Sequence, residues 1–186
     1  MVAALLLAAA SAGAAERLVV RTYDTVGLAA SETTIARDAV SAILSDAGLQ
    51  LVWRDCEASC DAPGSHEVVV RIVTAPKTAT SGSLGFAVVD VEQGTGMLAT
   101  VYADRVKSVA RRTGANAGQL IGRAIAHEIG HLLLGTSHHS VAGLMRARWS
   151  DGEVQRDLGP DWALSRQDIE KMGSVLIALA QGAVRF

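Results

Sequence analysis

Four of the five histidines in this 186-residue chain, His127, His131, His138 and His139, fall within thirteen residues. They belong to the segment His127-Glu128-Ile129-Gly130-His131-Leu132-Leu133-Leu134-Gly135-Thr136-Ser137-His138-His139-Ser140-Val141-Ala142-Gly143-Leu144-Met145, which opens on the spacing His-Glu-x-x-His. Residues four apart on an α-helix differ by about 40° in azimuth and sit one turn apart along the axis. His127 and His131 can therefore aim ring nitrogens at one ion, and tetrahedral zinc suits that geometry. Glu128 is turned roughly 100° off the ligand line, where its carboxylate reaches a water rather than the metal and can act as a base. Two histidines that merely cap or line a helix are the plainer reading of the same residues.

A catalytic zinc takes three protein ligands and a water, so a third ligand must come from beyond Gly135. With no Cβ, Gly135 can adopt the left-handed conformation that turns a chain sharply at a helix end. Here the segment resembles the metzincin clan of zinc endopeptidases, whose long motif is His-Glu-x-x-His-x-x-Gly-x-x-His followed by a methionine-containing turn. In this chain the glycine comes one residue late, at Gly135, and Ser137 stands where strict register puts the third histidine. His138 follows Gly135 at the clan's interval. His139 heads His-Ser-Val-Ala-Gly-Leu-Met, similar to the way the third ligand leads into the Met turn in related secreted bacterial proteins. The resemblance favours His139 as third ligand, with His138 the alternative, and makes Met145 the Met-turn residue under the zinc. Taken by itself, Met145 is an ordinary core methionine.

The resemblance implies an α+β fold, a metzincin-like zincin domain with a twisted, mixed five-stranded sheet, an active-site helix and a C-terminal helix. It also implies peptide hydrolysis with zinc as cofactor and Glu128 as general base. The peptide or protein substrate would lie extended along an edge strand; Leu84–Asp90 is the candidate, because Gly85 weakens a strand interior and marks close backbone approach. Arg146, Arg148 and Trp149 would line the primed side of the cleft, or else be solvated charges and a packed aromatic. Two other functions compete. One is a catalytically silent, zinc-stabilised module that binds a peptide or surface polymer, against which the retained Glu128 argues. The other is a zincin outside the clan, in which Asp168 or Glu170 of the last helix replaces the loop histidine.

Hydrophobic periodicity supplies the elements that must position these residues. Strands are predicted at Leu18–Tyr23, Leu49–Trp53, Glu67–Thr74, Leu84–Asp90 and Met97–Tyr102. The near-continuous apolar character of Val68 to Val73 marks the third as central. Helices are predicted at Ser31–Leu44 with Ser31 at its start and Gly48 as its stop, at Asp104–Arg112, at Ala117–Leu134 ended by Gly135, and from Ser165 to about Gln181. The last carries Ile169, Met172, Val175, Leu176 and Leu179 on one face. From Thr136 to Ser165 no period survives.

Composition sets the remaining limits. Seventeen Lys and Arg against 19 Asp and Glu, a formal net charge of -2 and no basic run beyond Arg111-Arg112 exclude an electrostatic grip on nucleic acid. Val2 to Ala10 is an apolar run followed by Ala12-Gly13-Ala14, which reads as a signal peptide over 1–14, leaving 15–186 as one catalytic domain. No Lys or Arg follows Met1, which fits an atypical signal or a start downstream of the true one. Secretion, extracellular or periplasmic, is the consequence, with no membrane association after cleavage and a monomeric state. In that oxidising setting Cys56 and Cys60 are expected to form a local disulfide. Only Ala15, Glu16 and Arg17 separate the cleavage site from the first strand, so latency through an N-terminal propeptide is not expected.

Overall fold

The computed structural model describes residues 16–56, 60–64, 66–92 and 95–180; the signal peptide expected over 1–14 lies outside them, as does the end of the last predicted helix at Gln181. Five strands form one sheet: β1 (Glu16–Asp24), β2 (Leu49–Asp55), β3 (Glu67–Val73), β4 (Gly85–Asp90) and β5 (Thr95–Tyr102), in the order β2-β1-β3-β5-β4. The first four in that order run parallel, and β4 closes the edge antiparallel to β5. Val68, Val70 and Ile72 of β3 are fully or almost fully buried, as its central place requires. β4 alternates half-buried and exposed residues, the pattern of an edge strand with one covered face.

Helix α1 (Ala30–Ser45) buries Ala36, Val40 and Leu44. Its start differs from expectation. The first-turn hydrogen bond comes from Glu32 Oε2, which accepts from the Ala29 N–H at 3.1 Å, and Ala29 rather than Ser31 is the capping residue. Gly48, in the left-handed region at φ 77°, ends the turn after α1 as its sequence position suggests. Helix α2 (Ala103–Thr113) follows β5 directly.

Helix α3 (Ala117–Leu134) starts at Asn116, whose side chain accepts from the Gln119 N–H, and ends at Gly135 in the left-handed conformation. From Leu120 to Leu134 every residue is buried. It is laid across α1 at backbone distance: a Cβ on Gly122 would collide with the Ala36 carbonyl oxygen, and one on Gly118 would come 2.9 Å from the Glu32 carbonyl oxygen. This close crossing presses α3 onto the sheet and fixes where its histidines fall.

The stretch predicted to lack regular structure contains two short helices, α4 (Asp151–Arg156) and α5 (Gly159–Trp162). A capping box at Ser150 and Glu153 starts α4, and Pro160 opens α5; both are too short for a hydrophobic period to register. The last helix, α6 (Arg166–Ala180), begins after Ser165, whose hydroxyl accepts from the Asp168 N–H. Ile169, Met172 and Leu176 of α6 join the core. Cys56 and Cys60 form the expected disulfide, with Cα atoms 5.7 Å apart. Just beyond Cys60, the Asp61 carbonyl accepts from Arg21, which also pairs with Glu67.

Candidate metal centre

His127 and His131 sit one turn apart on the buried face of α3 and are 8% and 5% exposed. Each ring is fixed from behind by a backbone carbonyl: His127 Nδ1 lies 2.9 Å from the Leu144 oxygen and His131 Nδ1 2.8 Å from the Thr136 oxygen. A carbonyl only accepts, so both Nδ1 atoms carry the proton and both Nε2 atoms present lone pairs. Those two Nε2 atoms are 3.1 Å apart. Two lone pairs cannot hydrogen-bond each other, and a cation shared between them satisfies both.

The loop after Gly135 supplies the third imidazole. Gly135 turns the chain at φ 59°, Thr136 N–H bonds back to the His131 carbonyl, and His139 swings over the pair. Its ring lies 5.3 Å from that of His127 and 4.8 Å from that of His131, centroid to centroid. Ligating atoms of His127, His131 and His139 all fall within 4.8 Å of one another. Burial holds the His127 pKa down to about 4 and pushes those of His131 and His139 below the ordinary imidazole value. The three rings are thus neutral near pH 7, the state that ligates a metal.

Glu128 lies off this line as the helix geometry requires. It is 6% exposed, and burial pushes its pKa up to about 8. Its carboxyl faces the start of β4: a Cβ on Gly85 would stand 2.8 Å from Glu128 Oε1 and 2.5 Å from the Thr100 carbonyl oxygen. The chain has no room for a side chain where the edge strand passes the carboxyl. Met145 lies under the helix, 1% exposed, and a Cβ on Gly130 would meet its sulfur at 2.6 Å. Its turn is held by Ser140 N–H to the Met145 carbonyl at 2.8 Å and Leu144 N–H to the Ala163 carbonyl at 2.9 Å.

Other sequence candidates fall elsewhere. His138 is exposed and lies outside the cluster of ligating atoms, and its backbone N–H donates to Thr136 Oγ1. Asp168 bonds Ser165 at the start of α6, and Glu170 pairs with Arg166 at the surface, so the last helix adds no carboxylate to the cluster. Arg146 is nearly buried against Glu153 and Asp161, and Trp149 packs edge-on against His127; Arg148 alone of that trio is a solvated charge. Sequence reasoning missed the carbonyls of Leu144 and Thr136, because backbone acceptors leave no mark in residue type. It also passed over Gly130, although a glycine inside a helix costs about 1 kcal/mol relative to alanine and so signals a packing reason.

No protein-family model matches the sequence, and no curated protein matches it. Solved structures do. The chain is similar to archaemetzincin from Methanopyrus kandleri, with a TM-score of 0.58 and 16% identity over 90% of this chain and 99% of that one. It is also similar to metalloproteinase-II from Bacteroides fragilis, with a TM-score of 0.54 and 14% identity over 87% of this chain and 53% of that one, about half of that protein's length. At such identities the likeness is one of fold: the chain shares with these two structures an α+β architecture, a mixed five-stranded sheet with helices.

Proposed function

We propose that the chain is a secreted zinc endopeptidase in which His127, His131 and His139 hold the metal and Glu128 is the general base. The observation that carries this reading is the convergence of three neutral imidazoles beside a buried carboxyl. Zinc held there supplies Lewis acidity toward water and toward the scissile carbonyl. The protein does the rest. Carbonyls of Leu144 and Thr136 fix the ligand tautomers, and Glu128 in its ionised form, made more basic by burial, would accept a proton from the attacking water and return it to the leaving amine. The free edge of β4 offers main-chain hydrogen-bonding groups to an extended peptide whose scissile bond lies level with Gly85. The signal-like 1–14 segment and the Cys56–Cys60 disulfide support export, and no helix among the described residues is long and apolar enough to cross a membrane.

Glu128→Ala tests the role of the carboxyl. The variant should keep zinc and lose hydrolysis of an unstructured protein by about a thousandfold, within the range general-base removal produces. Retained turnover removes Glu128 from the mechanism. A zinc-loaded wild-type chain that cleaves nothing, yet still binds extended peptides, makes the domain a binding module.

A further inference from the structure

We propose that Trp149 is a positioning residue for His127, held in place by a stack that runs through Trp162 to Arg123. The inference rests on the zinc reading of the site. Trp149 Nε1 donates to the Leu144 carbonyl oxygen at 3.3 Å, the same atom that accepts from His127 Nδ1 at 2.9 Å. A carbonyl has two lone pairs, and here a ligand and its aromatic neighbour occupy both. The Trp149 ring also meets the His127 ring edge-on at 5.9 Å, so the indole fixes the imidazole by contact and through their common acceptor.

Behind Trp149 the stack continues into the protein. Trp162, 4% exposed, meets it at 5.1 Å and 87°, and the Arg123 guanidinium lies over the other ring at 4.0 Å. Arg123 pairs at 2.5 Å with Asp157, which sits in the left-handed region at φ 50°, an uncommon conformation for a residue other than glycine. Arg123 and His127 are four residues apart on α3 and share one face. The segment from Trp149 to Trp162 is therefore fastened to the helix at two points one turn apart, and one of them is the metal-site histidine.

Simple core filling does not account for this pattern. From Leu120 to Leu134 the other charged or imidazole side chains of α3 belong to the metal site, and Arg123 is a buried cation whose paired carboxylate is half exposed. Burying a guanidinium is costly unless it is paired or laid on an aromatic face. The two ligands are also unequal: among the described residues the Thr136 carbonyl, which holds His131, has no second donor.

The test compares zinc affinity, measured by chelator competition, with the absorption spectrum of the cobalt-substituted protein in wild type, Trp149→Phe and Trp53→Phe. Trp149→Phe keeps an aromatic ring and removes the N–H donor. It should bind zinc about tenfold more weakly, the lower end of what outer-sphere partners contribute, and shift the cobalt bands, while the metal-free protein melts within a few degrees of wild type. Trp53→Phe, on β2, should match wild type throughout. Equal affinity and an unchanged cobalt spectrum in Trp149→Phe overturn the inference, whereas a wild type that binds no zinc overturns the zinc reading beneath it. Should Trp149→Phe not fold, the wild-type protein decides alone. Its Trp149 indole N–H resonance should exchange slowly and move on zinc addition, and a resonance that does neither overturns the proposal.

Discussion

Helix α3 and the loop that follows it both deliver imidazole to one point, by opposite means. In the helix, His127 and His131 are buried, their spacing is set by backbone periodicity, and carbonyls lock their rings. In the loop, His138, His139 and Val141 are exposed, Val141 fully so. What places His139 is the turn at Gly135, the Ser140–Met145 hydrogen bond that closes the loop and, from farther along the chain, the anchor of Leu144 on Ala163. The helix half is preorganised by local rules. The loop half depends on the rest of the fold.

That contrast orders the expected effects of mutation. Removing a helix ligand, His127→Ala or His131→Ala, should weaken zinc by more than the roughly hundredfold that outer-sphere changes reach, as read by metal content after dialysis. His139→Ala should also lose zinc strongly but leave the metal-free melting temperature almost unchanged, because that ring is exposed. His138→Ala should hold its full zinc complement; a loss there would move the ligand to the other histidine.

The loop's dependence on distant contacts can be probed without touching a ligand. Gly143 has φ 73°, and a Cβ there would stand 2.5 Å from the Ala163 carbonyl oxygen. Gly143→Ala should therefore cost ~2–4 kcal/mol in urea unfolding, combining left-handed strain with a backbone clash.

In the metal-free protein, burial works on the helix side in opposite senses with pH. His127 has its pKa depressed to about 4, so its contribution to stability is lost as pH falls from about 6.5 toward 4. Glu128 has its pKa raised to about 8, so its contribution is lost as pH rises from about 4.5 toward 8. Glu128→Gln should consequently raise the metal-free melting temperature by about 5 °C at pH 8 and change it little at pH 4.5. The smallest effect is expected at the exposed tip of the loop, where Val141→Ser should shift stability by less than about 0.5 kcal/mol and leave zinc binding alone.

The sequence revealed the helix half of the site almost completely. His127, Glu128 and His131 declare themselves through a spacing that only a helix converts into one face, and α3 has the predicted bounds from Ala117 to Leu134. The five strands and the central place of β3 followed from apolar runs and alternation, whereas the edge place of β4 came from the resemblance and from Gly85. The loop half was legible only through resemblance, since nothing in adjacent His138 and His139 says which ring turns inward. Helices α4 and α5 went unseen because six and four residues are too few to show a period, although Ser150 with Glu153 carried a capping signal. The stack of Arg123, Trp162 and Trp149 joins residues up to 39 positions apart, and only tertiary structure brings them together.

Zinc content tests the central claim most directly. Protein purified without chelator and dialysed against metal-free buffer should carry one zinc per chain in the wild type, Glu128→Gln and His138→Ala forms, and well under half in His139→Ala. A wild-type chain that retains less than half an equivalent, or a His139→Ala variant that retains its full complement, would contradict the three-imidazole site.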